Sequence, residues 1–428
     1  MTLLFSSWER MAKTHWLRSP HLIQRGSIIA VIVVLCLSSY APGASAKKND
    51  QPDEFPPNPL ELKVSDPLLP QAGQPLTAQE QQMLRTALDE LNAQATAQFR
   101  AGKPEAAFET WYRELRLRRA LGPAEEVAAL SRVGAIAWEE NRTIDVRQIS
   151  ERLQAVQQQT PAENLELLRS LGQAYQQLRA KDLAVTVYEQ ILATVRQQQD
   201  LAAEASTLDT IGQLHLNWFA YNNAASTYQQ LLTLVRSRGI LTGATPSRTL
   251  SETSLLQQLA YIYEQGKQPE PAIAVQQELV NIYQAQDPTQ VPKVKLAIAD
   301  NYQALGQLPQ AIENYQAAYL AAQPLQQFAI ASEALKHLGA LYRSQNQLDA
   351  ALKIYRFLVD VEAQSYNVYG RMNAYDTLGQ IYVARKEYPQ AVAAFQQGLA
   401  LAQQLQYQQD HFTKQIEQAT QAQTQTTP

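Results

Sequence analysis

Histidines, carboxylates and glycine turns are the groups of this chain that could do chemistry, and their spacing does not suit them to it. Five histidines occur in 428 residues, two of them within the first 46. His215, His337 and His411 stand far apart in sequence. No two of them have the i, i+4 spacing that presents paired imidazoles to a zinc ion from one helix. Cys36 is the only cysteine, which excludes an intramolecular disulfide and any site needing two thiolates. Ala101-Gly102-Lys103-Pro104 lacks the G-x-x-x-x-G-K frame of a phosphate loop and reads as a helix-breaking turn. No G-x-S-x-G occurs to present a serine nucleophile. The adjacent carboxylates Glu139 and Glu140 fall at a helix end open to water. The chain is therefore expected not to be an enzyme, with no catalytic residues, no cofactor and no metal site.

Charge narrows the partners. The formal net charge is −4, so no basic field exists to hold phosphates, and nucleic acid is not an expected partner. Hydrophobic residues make up 45% and charged residues 18%, enough for a packed core. With 16 glycines and 21 prolines, a turn-rich all-β protein is disfavoured.

Residues 1–46 read as an export signal. Arg10, Lys13, Arg18 and Arg25 precede the apolar run Ile28 to Leu37, and Ala44 and Ala46 offer the small residues of a cleavage site. The run is too short for the roughly 20 residues that span a bilayer. A cleaved signal and an uncleaved anchor both place the remainder outside the cytoplasm, in a periplasm or a thylakoid lumen. A start at Met11 would give the leader ordinary length. Leu35 before Cys36 argues against lipidation. Losing the leader's net +3 takes the formal charge from −4 to −7. Contact with a membrane is expected only through the partner or an uncleaved signal. Residues 47–76 carry prolines at 52, 56, 57, 59, 67, 70 and 75 and read as an extended tether. Its apolar residues, among them Leu60, Leu68 and Leu69, either dock on the body or serve as a spacer.

From Thr77, which has capping-box spacing with Glu80, apolar residues recur at helical intervals. A longer repeat overlies them. Leu168, Leu171, Gly172 and Tyr175 are followed by Ala184, Tyr188 and Ile191. The frame returns at Leu208, Ile211, Gly212, His215, Ala224, Tyr228 and Leu231, then around Ala260, Ala299, Gly339 and Gly379. The small residue of each unit falls at 134, 172, 212, 260, 299, 339 and 379. Most steps are 38–40 residues. The step from 212 to 260 is longer, with its surplus at 238–247, expected to be a loop where the array bends.

This frame resembles the tetratricopeptide repeat (TPR) family, strongly over 161–405 and weakly over 78–160. The period exceeds the family's commonest one and is similar to the longer-repeat branch that includes kinesin light chains. The resemblance implies an all-α, right-handed TPR superhelix (an α-solenoid) of about eight helix hairpins with a period near 40. Units 1 and 2 occupy 77–160 and units 3–8 occupy 161–405. A helix end and polar tail follow at 406–428. Small residues would let helices approach closely, and stacked units would bury what no unit buries alone.

The resemblance also implies a concave groove lined by helix-A residues not used for packing. These are Arg169, Gln173 and Gln176 in unit 3; Asp209, Gln213 and Asn217 in unit 4; Gln257, Tyr261 and Glu264 in unit 5; Asp300 in unit 6; Lys336 and Arg343 in unit 7; and Asp376 and Gln380 in unit 8. Such a face suits hydrogen bonding to an extended peptide or a docked helix, so the expected partner is a protein or extended peptide. The family's carboxylate clamp is not supported: Arg169 and Gln173 fit loosely, but the third unit offers Ser254 and Gln258.

The layout of export signal, proline-rich tether and TPR body is similar to cyanobacterial periplasmic TPR factors of photosystem II biogenesis. That resemblance implies an envelope or membrane assembly role and an association with manganese, but no metal site carries over residue by residue; a manganese site would need hard oxygen ligands, for which Asp209, Glu264 and Asp300 are the candidates. A self-associating structural protein of the cell envelope or secretion machinery is the alternative. The polar run Gln415 to Pro428, read as a frayed end cap, argues mildly against it.

Overall fold

A computed structural model of the chain describes residues 58–69, 75–238 and 251–426, which lie in one compact unit, Pro57–Pro428. The expected signal at 1–46, the early tether and nearly all of the loop expected at 238–247 fall outside the described residues.

Seventeen α-helices and no strand are present among the described residues. Sixteen form eight antiparallel hairpins: α1 (Ala78–Arg100) with α2 (Pro104–Arg118), α3 (Pro123–Glu139) with α4 (Thr143–Gln159), α5 (Leu165–Gln177) with α6 (Lys181–Gln197), and α7 (Leu201–Asn217) with α8 (Tyr221–Arg238). The series continues with α9 (Glu252–Gln265) and α10 (Pro269–Gln286), α11 (Val291–Ala304) and α12 (Leu308–Ala322), α13 (Phe328–Ser344) and α14 (Leu348–Gln364), and α15 (Val368–Ala384) and α16 (Tyr388–Leu405). Helices pack on their neighbours in sequence, as a TPR α-solenoid requires, except that α3 packs more on α5 than on α4, and α4 barely meets α5. The first helix of each hairpin is helix A and the second is helix B.

Helix starts follow local chemistry. Thr77 and Glu80 form the expected capping box, and Asn164, Asp200 and Asn367 cap α5, α7 and α15 through their side chains. Proline stands in the first turn of α2, α3, α10, α12 and α16, where its missing N–H is not needed.

The turn between helices A and B repeats in detail. Gly102, Asn141, Arg179, Phe219, Lys267, Gly306, Asn346 and Lys386 all adopt left-handed backbone, with φ from +53° to +74°. From Asn141 onward, each lies seven residues after the small residue of its unit. The same offset from Gly102 points to Ala95, which is fully buried and followed by Ala107 and Trp111 in the frame of later units. Unit 1 is thus a regular repeat whose small residue the sequence pattern did not single out.

Gly172, Gly212, Gly339 and Gly379 are buried, and what fills the space beside them is a ring. An added Cβ would lie 2.7 Å from Tyr188 at Gly172, 2.6 Å from Tyr228 at Gly212 and 2.7 Å from Tyr355 at Gly339, and would run into Phe395 at Gly379. The expected close approach of helices is therefore an approach of helix A to the aromatic side chain of its own helix B.

Both ends are covered. Around Pro59–Glu61 the tether docks: Leu60 is buried, Asp66 accepts from Arg113 at 2.7 and 3.0 Å, and Arg116 and Arg119 donate to the carbonyls of Pro59 and Leu60. Leu62 and Val64 remain exposed. At the other end, the polar run read as a frayed cap belongs to a full helix, α17 (Gln409–Thr426). Its Phe412 is buried against Gly398, and His411 meets Asp376 at 2.9 Å.

Candidate functional site

In units 3–8 the polar residues of helix A fall in three columns. Three residues before the small residue stand Arg169, Asp209, Gln257, Lys336 and Asp376. One residue after it stand Gln173, Gln213, Tyr261, Asp300 and Gln380. Four residues after it stand Gln176, Glu264, Gln303 and Arg343. Arg169, Gln173, Asn217, Gln257, Tyr261, Glu264, Asp300, Lys336, Arg343 and Gln380 are exposed, while Gln176, Asp209, Gln213 and Asp376 are half-buried.

The floor beneath these columns is made by tyrosine hydroxyls. Tyr188, Tyr228 and Tyr315 come from helix B, their rings buried beside the small residue and their hydroxyls reaching the A face. Gln176 Nε2 donates to Tyr188 at 3.0 Å. Gln213 Nε2 donates to Tyr228 at 2.6 Å, and the Tyr228 hydroxyl donates to Asp209 at 3.1 Å. The Tyr315 hydroxyl donates to Asp300 at 2.6 Å and lies 2.7 Å from the Gln303 side-chain oxygen. In unit 5 the buried Gln276 takes the tyrosine's place, donating to Glu264 at 2.7 Å and accepting from Asn301 at 3.0 Å. Burial raises the Tyr188 and Tyr315 phenols above their ordinary range, so they remain protonated donors or acceptors. Desolvation likewise lifts the Glu264 carboxyl above its usual value, although the residue is exposed overall.

A second ladder links unit to unit. Gln229, Gln277, Gln316 and Arg356 on helix B donate to Tyr263, Tyr302, Tyr342 and Tyr382 on the following helix A, at 2.5, 3.3, 3.3 and 2.5 Å. Between units 3 and 4 the tyrosine is replaced by His215. Its ring is buried, its Nδ1 has no partner among the described residues, and burial lowers its pKa. His215 occupies the packing position expected of it.

All the sequence-derived site residues except Asn217 are thus brought into columns, but several are tied to the floor. Gln257 donates to Tyr283, Lys336 Nζ lies 3.0 Å from Glu362, Arg343 donates to Gln380 at 3.5 Å, and Gln380 donates to Asp376 at 2.7 Å. His337 joins them: its Nδ1 lies 3.1 Å from the Tyr315 hydroxyl and 3.2 Å from Asp300, whose carboxylate raises the imidazole pKa. Asp209, Glu264 and Asp300 each engage a different side chain. Among the described residues no three His, Cys, Asp or Glu side chains gather as a metal site. No helix among them is long and apolar enough to cross a membrane.

The sequence reading missed an ion network in units 1 and 2. Glu114 is fully buried, 3.0 Å from Arg118 and 2.8 Å from Arg132 through both oxygens. Glu126, also buried, takes Arg119 and Arg152 at 3.1 and 2.6 Å. The arginine-rich run Arg113 to Arg119 was its visible signal.

Residues 167–202 and 330–404 each match a family model described as tetratricopeptide repeat. The chain carries tetratricopeptide repeats. Both matched stretches lie inside the TPR units delimited above, one over unit 3 and one over units 7 and 8. No curated protein matches the chain. Solved structures similar to it include BtubC from P. vanneervenii, with 16% identity, 53% of this chain and 92% of that one covered, and a TM-score of 0.34. The TPR-like repeats of a Podosopora anserina kinesin light chain give 17%, 50%, 98% and 0.34. The C-terminal part of a TPR protein from Cytophaga hutchinsonii gives 15%, 63%, 95% and 0.37.

Proposed function

We propose that this chain is a non-catalytic TPR scaffold that binds an extended segment of a protein partner across its A-helix face. The observation that carries the reading is the set of polar columns in units 3–8, set in units 3–6 over a floor of three tyrosine hydroxyls and Gln276. That floor is fixed by side-chain hydrogen bonds, and the side chains above it present donors and acceptors at the interval of the repeat. An extended chain needs that pattern, because its amides and carbonyls must be satisfied in turn. The mixed charge of the columns fits a polar segment and not a polyanion.

The finer version makes it an exported assembly factor for an envelope or membrane complex. The leader at 1–46 supports export, and the layout resembles the photosystem II assembly factor PratA. Helix α17 covers the last hairpin with Phe412, which works against the alternative of open head-to-tail polymers.

The test is capture from the native envelope, comparing the wild-type chain with Arg169→Glu. One dominant partner retained by the wild type and weakened by the substitution supports the proposal. A partner indifferent to Arg169→Glu and to changes in neighbouring columns contradicts it.

A further inference from the structure

Glu362 stands where units 3–6 and 8 place an apolar residue: Val195, Val235, Tyr283, Ala322 and Ala402, all buried, while units 1 and 2 carry Arg118 and Gln157 there. Glu362 is also buried, at 1% exposure. Two further positions converge on it. Ser332 replaces the apolar residue seen at Val127, Ala205 and Met372, and its hydroxyl donates to Glu362 Oε1 at 2.6 Å. Gly370 lies at a position that varies from unit to unit, and a Cβ there would run into the Glu362 carboxyl. A glutamate in place of the apolar residue of units 3–6 and 8, a serine that donates to it and a glycine that makes room for it thus build one buried carboxylate in unit 7.

That carboxylate lines a recess of about 440 Å³, together with Phe328, Ser332, Glu333, Lys336 and Asn367. Its volume is in the range of small-ligand sites. Lys336 Nζ and the Ser332 hydroxyl share Oε1, and Oε2, which is not sealed from the recess, accepts no hydrogen bond among the described residues. Burying a carboxylate is costly unless its lone pairs are met. Two carboxylates, Glu333 and Glu362, face one ammonium, Lys336, while His337, which also lines the recess, is paired with Asp300, so the lining has a negative excess. An anionic guest would meet that excess, and an apolar guest would leave Oε2 unmet. Breaks in an otherwise consistent repeat are where function is expected.

We propose that this recess takes one cationic side chain of the partner, a lysine ammonium or an arginine guanidinium, onto Glu362 Oε2 and Glu333. The inference deepens the partner-binding reading and rests on it only for the source of the cation.

Ligand-detected NMR titration of the purified protein with Nα-acetyl-lysine amide, Nα-acetyl-arginine amide and the neutral norleucine analogue tests it. Saturable binding by a cationic probe but not by norleucine is expected, and whichever cation binds more tightly identifies the side chain. Glu362→Gln, which keeps the shape, should weaken binding about ten- to a hundredfold, the weight of a charged hydrogen bond. Glu333→Gln, at the exposed rim, should weaken it without touching the core. Lys336→Met removes the competing ammonium and should tighten it, which mere loss of structure would not do. Equal behaviour of lysine and norleucine probes, or weaker cation binding in Lys336→Met, overturns the proposal. Cation binding without any captured partner would sink the scaffold reading and leave the recess standing. A captured partner with no cation binding would do the reverse.

Discussion

The Cβ that Gly172 lacks would lie 2.7 Å from Cε2 of Tyr188, closer than packed carbons come. The glycine and the ring are one device. The ring fills the gap between the two helices of a hairpin, and its hydroxyl becomes part of the A-face floor through Gln176. Gly212 with Tyr228 and Gly339 with Tyr355 repeat the contact.

Gly172→Ala, Gly212→Ala and Gly339→Ala should each destabilise the protein. Replacing a helical glycine by alanine gains up to about 1 kcal/mol. Overpacking a filled core costs about 1–3 kcal/mol, and the ring, buried on all sides, cannot retreat. Thermal melts should show a lower Tm for each.

The left-handed turns predict the opposite sign for the reverse substitution. Arg179 and Lys386 hold φ of +55° and +61° with side chains that resist it. Left-handed backbone costs about 1–2 kcal/mol in a residue with a Cβ. Part of that gain is offset by about 0.4–1 kcal/mol of added freedom in the unfolded chain. Arg179→Gly and Lys386→Gly should raise denaturation midpoints slightly. Gly306→Ala, at φ +70°, should lower them.

Much of this was legible in the sequence. The hairpins follow the spacing of small residues, and the A-face columns follow from the same frame. The partners of the columns were not legible, because a hydrogen bond such as Gln213 to Tyr228 depends on where a ring ends, and a one-dimensional pattern does not say. Unit 1 was obscured because Trp111 takes the tyrosine's place and Gln98 stands where later units carry an aromatic. The tail misled through composition: its glutamines read as solvated, while Phe412 and Ala419 anchor it on α16 and the body. Glu362 was invisible because one acidic residue in a helix usually faces water.

Glu114→Ala should cost about 3–5 kcal/mol, the usual penalty for breaking a buried ion pair. It leaves Arg118 and Arg132 without their shared carboxylate. Chemical denaturation followed by circular dichroism should show the loss. Glu109→Ala, exposed on the same helix, should change little.

The link between units 6 and 7 should depend on pH. Asp300 raises the His337 pKa above its ordinary 6.5, against the opposing effects of burial and Lys336, with Glu333 adding to the rise. A raised folded-state value means the protonated pair stabilises the fold fully below pH 6.5, and the contribution disappears as pH rises through the folded value. His337→Gln should therefore lose stability relative to wild type in acid and match it more closely in alkali. An NMR titration of the imidazole should show its pKa falling in Asp300→Asn.

Site-specific photocrosslinking in the native organism tests the central claim most directly. A photoreactive residue is placed at Gln173, Gln213, Tyr261 or Gln380 on the A face, or at Glu189, Gln230 or Lys353 on the B helices. The account predicts that adducts with one partner protein form at the A-face positions and follow the repeat along that partner's sequence. Adducts confined to the B-helix positions, or scattered evenly over both faces, would contradict it.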